Sequence, residues 1–139
     1  MSDRFRVALV SGKLGGVDGV SLEVNKWVQV LEEAGHEVFT IAGRYDAPLA
    51  EIPRERQLLC EQIRFDSPEQ AHYETMVFPY LSRRPPHLTE KQLEEIVQEL
   101  ETLGKEVANL LMELVQQHRI DVLVGQNTNA MPMTILGGL

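Results

Sequence analysis

The chain has 139 residues, 43% of them hydrophobic and 24% charged, with a formal charge of −8. That length suits one domain with its own core, and the acidic balance excludes a nucleic-acid backbone partner, which calls for clustered Lys and Arg. A single cysteine, Cys60, excludes an internal disulfide, and no run approaches the ~18 apolar residues of a membrane span, so the composition describes a soluble chain in a reducing cytoplasm.

In chain order, residues 5–10 (Phe5-Arg6-Val7-Ala8-Leu9-Val10) read as a strand, nearly all apolar as expected where a parallel sheet is covered on both faces. The loop from Ser11 to Gly19 follows, with glycine at 12, 15, 16 and 19. An amphipathic run then places Val20, Val24, Trp27, Val28 and Leu31 on one helical face, with Trp27 assigned to the interior. Asp18 suits the N-cap and Gly35 the left-handed residue that ends the helix. Residues 37–43 form the second strand, which makes the opening a β-α-β unit with a right-handed crossover.

The glycine loop leads from a strand into a helix N-terminus, where backbone N–H groups and the helix dipole favour an anion. It lacks both the G-x-G-x-x-G spacing and the G-x-x-x-x-G-K-[ST] phosphate loop, so neither nicotinamide nor ATP binding is supported. A tight turn without ligand is the competing reading. Lys13 is either a solvated loop charge or a ligand neighbour, and Asp18 is foremost a cap.

Residues 44–88 read as an irregular insert. Arg44 to Pro48 form a turn, Leu58 to Phe65 hold a short edge strand, and Ser67-Pro68-Glu69 starts a short helix reaching about Met76. Arg83-Arg84-Pro85-Pro86 is a stiff connector. Thr89-x-x-Gln92 then fits a capping box. From there Leu93, Ile96, Val97, Leu100, Leu103, Val107, Leu111, Leu114 and Val115 stripe one helix, roughly 40 Å long at 1.5 Å per residue. Residues 120–125 are a further strand, followed by Gln126-Asn127-Thr128-Asn129, and a last helix starts near Met131. His36 is a structural corner residue. His72, His87, His118 and Cys60 share no metal-ligand spacing, so no metal and no cofactor are assigned.

In a doubly wound sheet of order 3-2-1-4, ligands sit outside the carboxyl ends of neighbouring strands one and four. The 11–19 and 126–130 loops should then line one crevice, with the amides of Asn127 and Asn129 suited to hydroxyl-rich ligands.

Arg6-Val7-Ala8-Leu9-Val10, Gly15-Gly16-Val17, Leu31, Gly35-His36-Glu37-Val38 and Asp121-Val122-Leu123-Val124 together resemble the amino-terminal half of GT-B-fold retaining glycosyltransferases with a subfamily 4-like domain. The likeness is strongest over residues 4–43 and 119–139. It implies an α/β, Rossmann-like parallel sheet with flanking helices, spanning 1–139 as one incomplete domain. It also implies a nucleotide-sugar donor and a sugar or lipid-linked acceptor, with the donor gripped by a carboxyl-terminal domain outside this chain. Gly15 and Gly16 would face the donor diphosphate and acceptor, beside Lys13 and Asp18. Many relatives carry histidine where this chain has Gln126-Asn127, and catalytic residues are not assigned. On this reading the chain is a fragment, inactive alone. Bare Leu123, Val124, Ile135, Leu136 and Leu139 would drive self-association. A non-catalytic α/β binding or assembly module is the alternative.

Overall fold

The computed structural model describes residues 3–64, 66–77 and 88–126. Strand β1 (Arg6–Leu14) leads through the glycine loop into helix α1 (Gly19–Glu33), which returns the chain to strand β2 (Glu37–Tyr45). After a 3₁₀ turn at Arg54–Arg56 come the short strand β3 (Gln57–Leu59), a second 3₁₀ turn at Glu61–Ile63 and helix α2 (Pro68–Val77). The long helix α3 (Glu90–His118) and strand β4 (Val122–Gly125) complete the described elements. The sheet has the order β3-β2-β1-β4, and every pair is parallel. This is the α/β, Rossmann-like architecture expected from the sequence.

Alternation along the strands divides the core in two. On one face Leu9, Val38 and Ala42 pack against Val24 and Val28 of α1. On the other, Ala8, Val10, Phe39, Ile41 and Leu58 meet Val107 of α3, with Leu110, Leu111, Leu114 and Val115 packed around them. A smaller cluster of Tyr73, Ile96 and Leu100 holds α2 against the first half of α3. Covering both faces is what a parallel sheet requires, and it explains why the strand interiors carry no charge.

Helix ends follow local chemistry. Asp18 caps α1 by accepting the Ser21 N–H at 3.0 Å, and Gly35 takes φ 90° beyond its last turn. Thr89 and Gln92 form the reciprocal capping box of α3. At the other end of α3, Arg119 adopts φ 53°, a left-handed position with no glycine to relieve it. The Ile120 N–H closes that turn on the Val115 carbonyl at 2.9 Å.

Several expectations need correction. β1 runs four residues past Val10, so Ser11 to Leu14 are strand and not loop. β2 likewise continues through Arg44 and Tyr45. The edge strand expected over Leu58 to Phe65 is the shorter β3, Gln57–Leu59, at the edge of the sheet among the described residues, and α2 begins at Pro68 as expected. Trp27 is not interior; it lies on the flank of α1, 43% exposed. Leu93 and Val97 are also about half exposed, because α2 covers only the Ile96–Leu100 side of α3. On β4, Val122 and Leu123 are half exposed. Phe65, 78–87 and 127–139 lie outside the described residues, and with them Asn127, Asn129 and the helix expected from Met131.

At the amino edge of the sheet Arg6 fastens three elements. Its Nε donates to the His118 carbonyl at the end of α3 (2.8 Å) and its Nη1 to Glu37 of β2 (2.6 Å). Its guanidinium lies 4.9 Å over the Phe39 ring. Replacing Arg6→Ala strips the last turn of α3 of its donor and leaves Glu37 without its shorter ion pair. Urea unfolding should show a loss of about 1–3 kcal/mol, with Arg6→Lys recovering only part because one ammonium cannot serve all three contacts.

Candidate functional site

The carboxyl edge of the sheet is built from the last residues of β1 and β2. The two strands are in register, with Arg6 opposite Glu37 at one end and Lys13 opposite Arg44 at the other. Two cations side by side need compensation, and Asp46 supplies it. Its Oδ2 lies 3.5 Å from Lys13 Nζ, and its Oδ1 lies 3.1 Å from Arg44 Nε. Lys13 also reaches Asp18 Oδ2 at 3.4 Å. Lys13 is therefore an ammonium held between two carboxylates.

The glycine loop owes its shape to contacts within the chain. Gly15 has φ 80°, and a Cβ there would stand 1.9 Å from the Ala47 carbonyl oxygen. Only glycine allows the segment after β2 to cross this closely. A Cβ at Gly16 would stand 2.7 Å from Asp18 Oδ2 and 3.1 Å from Asp46 Oδ2, so both carboxylates converge over that residue. At the tip, Val17 is 92% exposed.

Asp18 occupies the seat an external anion would seek. Its two oxygens accept from the Ser21 N–H (3.0 Å) and the Ser21 hydroxyl (2.9 Å) at the α1 N-terminus. Partial burial pushes its carboxyl up, but the Ser21 backbone and hydroxyl bonds and then Lys13 outweigh that and hold it below the ordinary carboxylate value. Lys13 and Arg44 stand against Asp18 and Asp46, so cations and carboxylates balance over the loop. The carboxylate oxygens leave lone pairs beyond those two cations, which suits hydroxyl groups.

The structure thus brings together Lys13, Gly15, Gly16 and Asp18 from the sequence reading. It adds Asp46 and Arg44, which that reading assigned to a turn; the alternation Arg44-x-Asp46 at a strand end was the available signal. The carboxyl end of β4 reaches the same edge, where the Gln126 N–H donates to the Val10 carbonyl at 2.8 Å. Asn127 and Asn129 follow it in sequence, outside the described residues.

Other reactive side chains are committed elsewhere. The Tyr45 hydroxyl donates to the Leu58 carbonyl (2.8 Å) and has one proton only, so Thr40 donates to it (2.8 Å). Burial pushes that phenol far up and removes it from acid–base work at neutral pH. Cys60 is buried, and burial likewise pushes its thiol up, away from the nucleophilic thiolate. No group of three or more His, Cys, Asp or Glu able to hold a metal occurs among the described residues. Among them also, no helix is long and apolar enough to cross a membrane.

Comparison with known proteins yields one informative match. Over 123 residues the chain is 28% identical to the mannosylglucosylglycerate synthase of Thermotoga maritima. The match covers 88% of this chain and 25% of that protein, so the chain spans about a quarter of the relative's length. No protein-family model and no solved structure matches the chain. The similarity, together with the all-parallel α/β sheet, supports a glycosyltransferase-like domain.

Three substitutions test the loop's construction. Gly15→Ala should destabilise the chain by about 2–4 kcal/mol in denaturant unfolding, from left-handed strain and the clash with Ala47. Gly19→Ala, where a Cβ meets nothing within 4 Å, should be neutral or slightly stabilising. Asp18→Ala should cost about 1 kcal/mol near pH 7 through loss of the cap. Because the folded carboxyl titrates below the ordinary carboxylate value, the ionised group's contribution is complete above the unfolded value. It disappears as pH falls through the lowered folded value, so unfolding curves of wild type and variant should converge in acid.

Proposed function

We propose that this chain is the acceptor-side domain of a glycosyltransferase of the GT-B type, moving a sugar from a nucleotide-sugar donor to a hydroxyl-bearing acceptor. The observation that carries the reading is the convergence of Lys13, Asp18 and Asp46 over Gly16 at the carboxyl edge of a parallel sheet. The similarity to mannosylglucosylglycerate synthase supports it. Ligands of open α/β sheets bind outside the strand carboxyl ends, and these three side chains line that edge.

In this proposal the Asp18 and Asp46 carboxylates accept hydrogen bonds from acceptor hydroxyls, while Lys13 donates to a ring or hydroxyl oxygen. Gly15 and Gly16 shape the loop that brings Asp46 and Asp18 together, and the amides of Asn127 and Asn129, next in sequence after β4, are further candidate contacts. Lys13 and Arg44 are already neutralised by Asp18 and Asp46, which leaves a diphosphate no open cation there, so donor binding falls to a second domain. Such a domain would also cover the half-exposed Val122 and Leu123 of β4; without it, self-association through that flank is the expected substitute.

The division of labour gives the test. Titration with a saccharide panel should shift the amide signals of Lys13, Gly15 and Gly16, and Asp46→Asn should weaken that binding by about tenfold. Sugar transfer from nucleotide-sugars should appear only when the chain is mixed with a polypeptide matching the remaining three quarters of the Thermotoga maritima relative. Turnover by the chain alone would refute the split, and saccharide-induced shifts confined to other surfaces would refute the loop assignment.

A further inference from the structure

Outside the glycine loop, two guanidinium groups converge on one carboxylate. Arg44, at the end of β2, reaches Asp66 Oδ2, and Arg64, just after the second 3₁₀ turn, lies with its Nε 2.9 Å from Asp66 Oδ1. The pairing follows from a close crossing of backbones. A Cβ on Gly43 would stand 2.4 Å from both N and Cα of residue 64, so glycine at that place in β2 lets the chain pass directly over the strand. That crossing delivers Arg64 beside Arg44.

Asp66 serves the two arginines unequally. Arg64 Nε is buried and lacks a hydrogen bond, although Asp66 Oδ1 is near, because the oxygen lies off the N–H direction. A buried guanidinium donor without an acceptor is costly. One carboxylate also cannot present a two-oxygen edge to both arginines at once. The half-exposed Asp66 is therefore a replaceable occupant.

We propose that Arg44 and Arg64 form a receptor for the oxyanion group of a ligand, phosphate or carboxylate, which Asp66 fills until the ligand displaces it. Arg64 also lines a cavity of about 370 Å³ between the 61–69 segment and α3. Leu103, Val107 and Leu110 form its apolar side, and Glu61, Glu69 and Glu106 also face it. Those carboxylates repel a second anionic group and accept from hydroxyls. The ligand class is thus a molecule with one anionic end at the arginine pair and a neutral, hydroxylated or apolar body in the cavity. Nothing in this assignment depends on the glycine-loop proposal, and either can fail alone.

The 139-residue chain, labelled for observation of arginine Nε–Hε signals, is titrated at constant ionic strength with inorganic phosphate, with acetate, and with chloride as control. Saturable shifts of Arg44 and Arg64 with phosphate, acetate or both are expected, the stronger identifying the preferred oxyanion; chloride should give none. Asp66→Asn should tighten binding about tenfold, the order expected when two partly exposed ion pairs cease to compete. Arg44→Gln should abolish saturation while leaving the backbone signals at the amino end of the sheet, around Arg6 and Glu37, unchanged. Should Asp66→Asn disturb the fold, the comparison of wild type with Arg44→Gln decides alone. Linear shifts indistinguishable from chloride, or saturation that survives Arg44→Gln, would overturn the proposal.

Discussion

Two-sided burial of β1 and β2 is the constraint on which the rest of the structure depends. Each strand begins with an ionisable residue, continues through six fully or almost fully buried positions, and places a cation at its eighth. Helices on both faces leave no room for charge between those ends. The chemistry of the sheet is therefore confined to its two edges, and parallel register aligns like positions there. The amino edge pairs Arg6 with Glu37 and is mechanically useful, since the same arginine closes α3. The carboxyl edge sets Lys13 beside Arg44, a repulsive pair that requires carboxylates, and three aspartates supply them.

The edges are also where sequence reading and structure diverge, for a physical reason. Apolar periodicity located α1, α3 and the centres of three strands because burial leaves a repeating mark on the residues. It stopped β1 at Val10, since Ser11, Gly12 and Lys13 carry no apolar signal, yet the β1–β2 ladder continues through Lys13 and Leu14. Trp27 sat at core spacing by count, but the sheet beneath α1 is filled by Val24 and Val28, leaving the indole on the flank. Leu93 and Val97 failed likewise, because a stripe records which face is apolar and not how much of it a neighbour covers. The strand order 3-2-1-4 was legible from the β-α-β grammar. The charge ladder from Lys13 to Arg64 was not, since its members come from four separate segments and meet only in three dimensions.

Glycine made part of that convergence readable only in hindsight. The loop's glycines suggested backbone approach to a ligand, and close approach is what they provide, but the nearest partners lie within the chain. Gly15 admits the Ala47 carbonyl, and Gly43 admits the backbone of Arg64. Each contact brings a side chain of the later segment to the carboxyl edge: Asp46 through the first, Arg64 through the second. The glycines therefore shape the candidate site by routing other residues into it.

A consequence follows for recognition at this edge. Every cation here already holds a carboxylate of the same chain, and the helix N-terminus holds Asp18. An incoming ligand does not meet bare charge; it exchanges with an internal partner. Affinity for any oxyanion is then the difference between two ion pairs in similar surroundings, which is small unless the newcomer has better geometry. Neutral hydroxyls face no such competition over Asp18 and Asp46, whose outward lone pairs can accept without displacing Lys13. On the two proposals made above, the same ladder would discriminate by position: hydroxyl recognition at the Lys13 end, where the carboxylates are held by a cap and a strand end, and anion exchange at the Arg64 end, where the carboxylate fits its donor poorly. That asymmetry comes from where Asp18, Asp46 and Asp66 are anchored, and net charge alone would not reveal it.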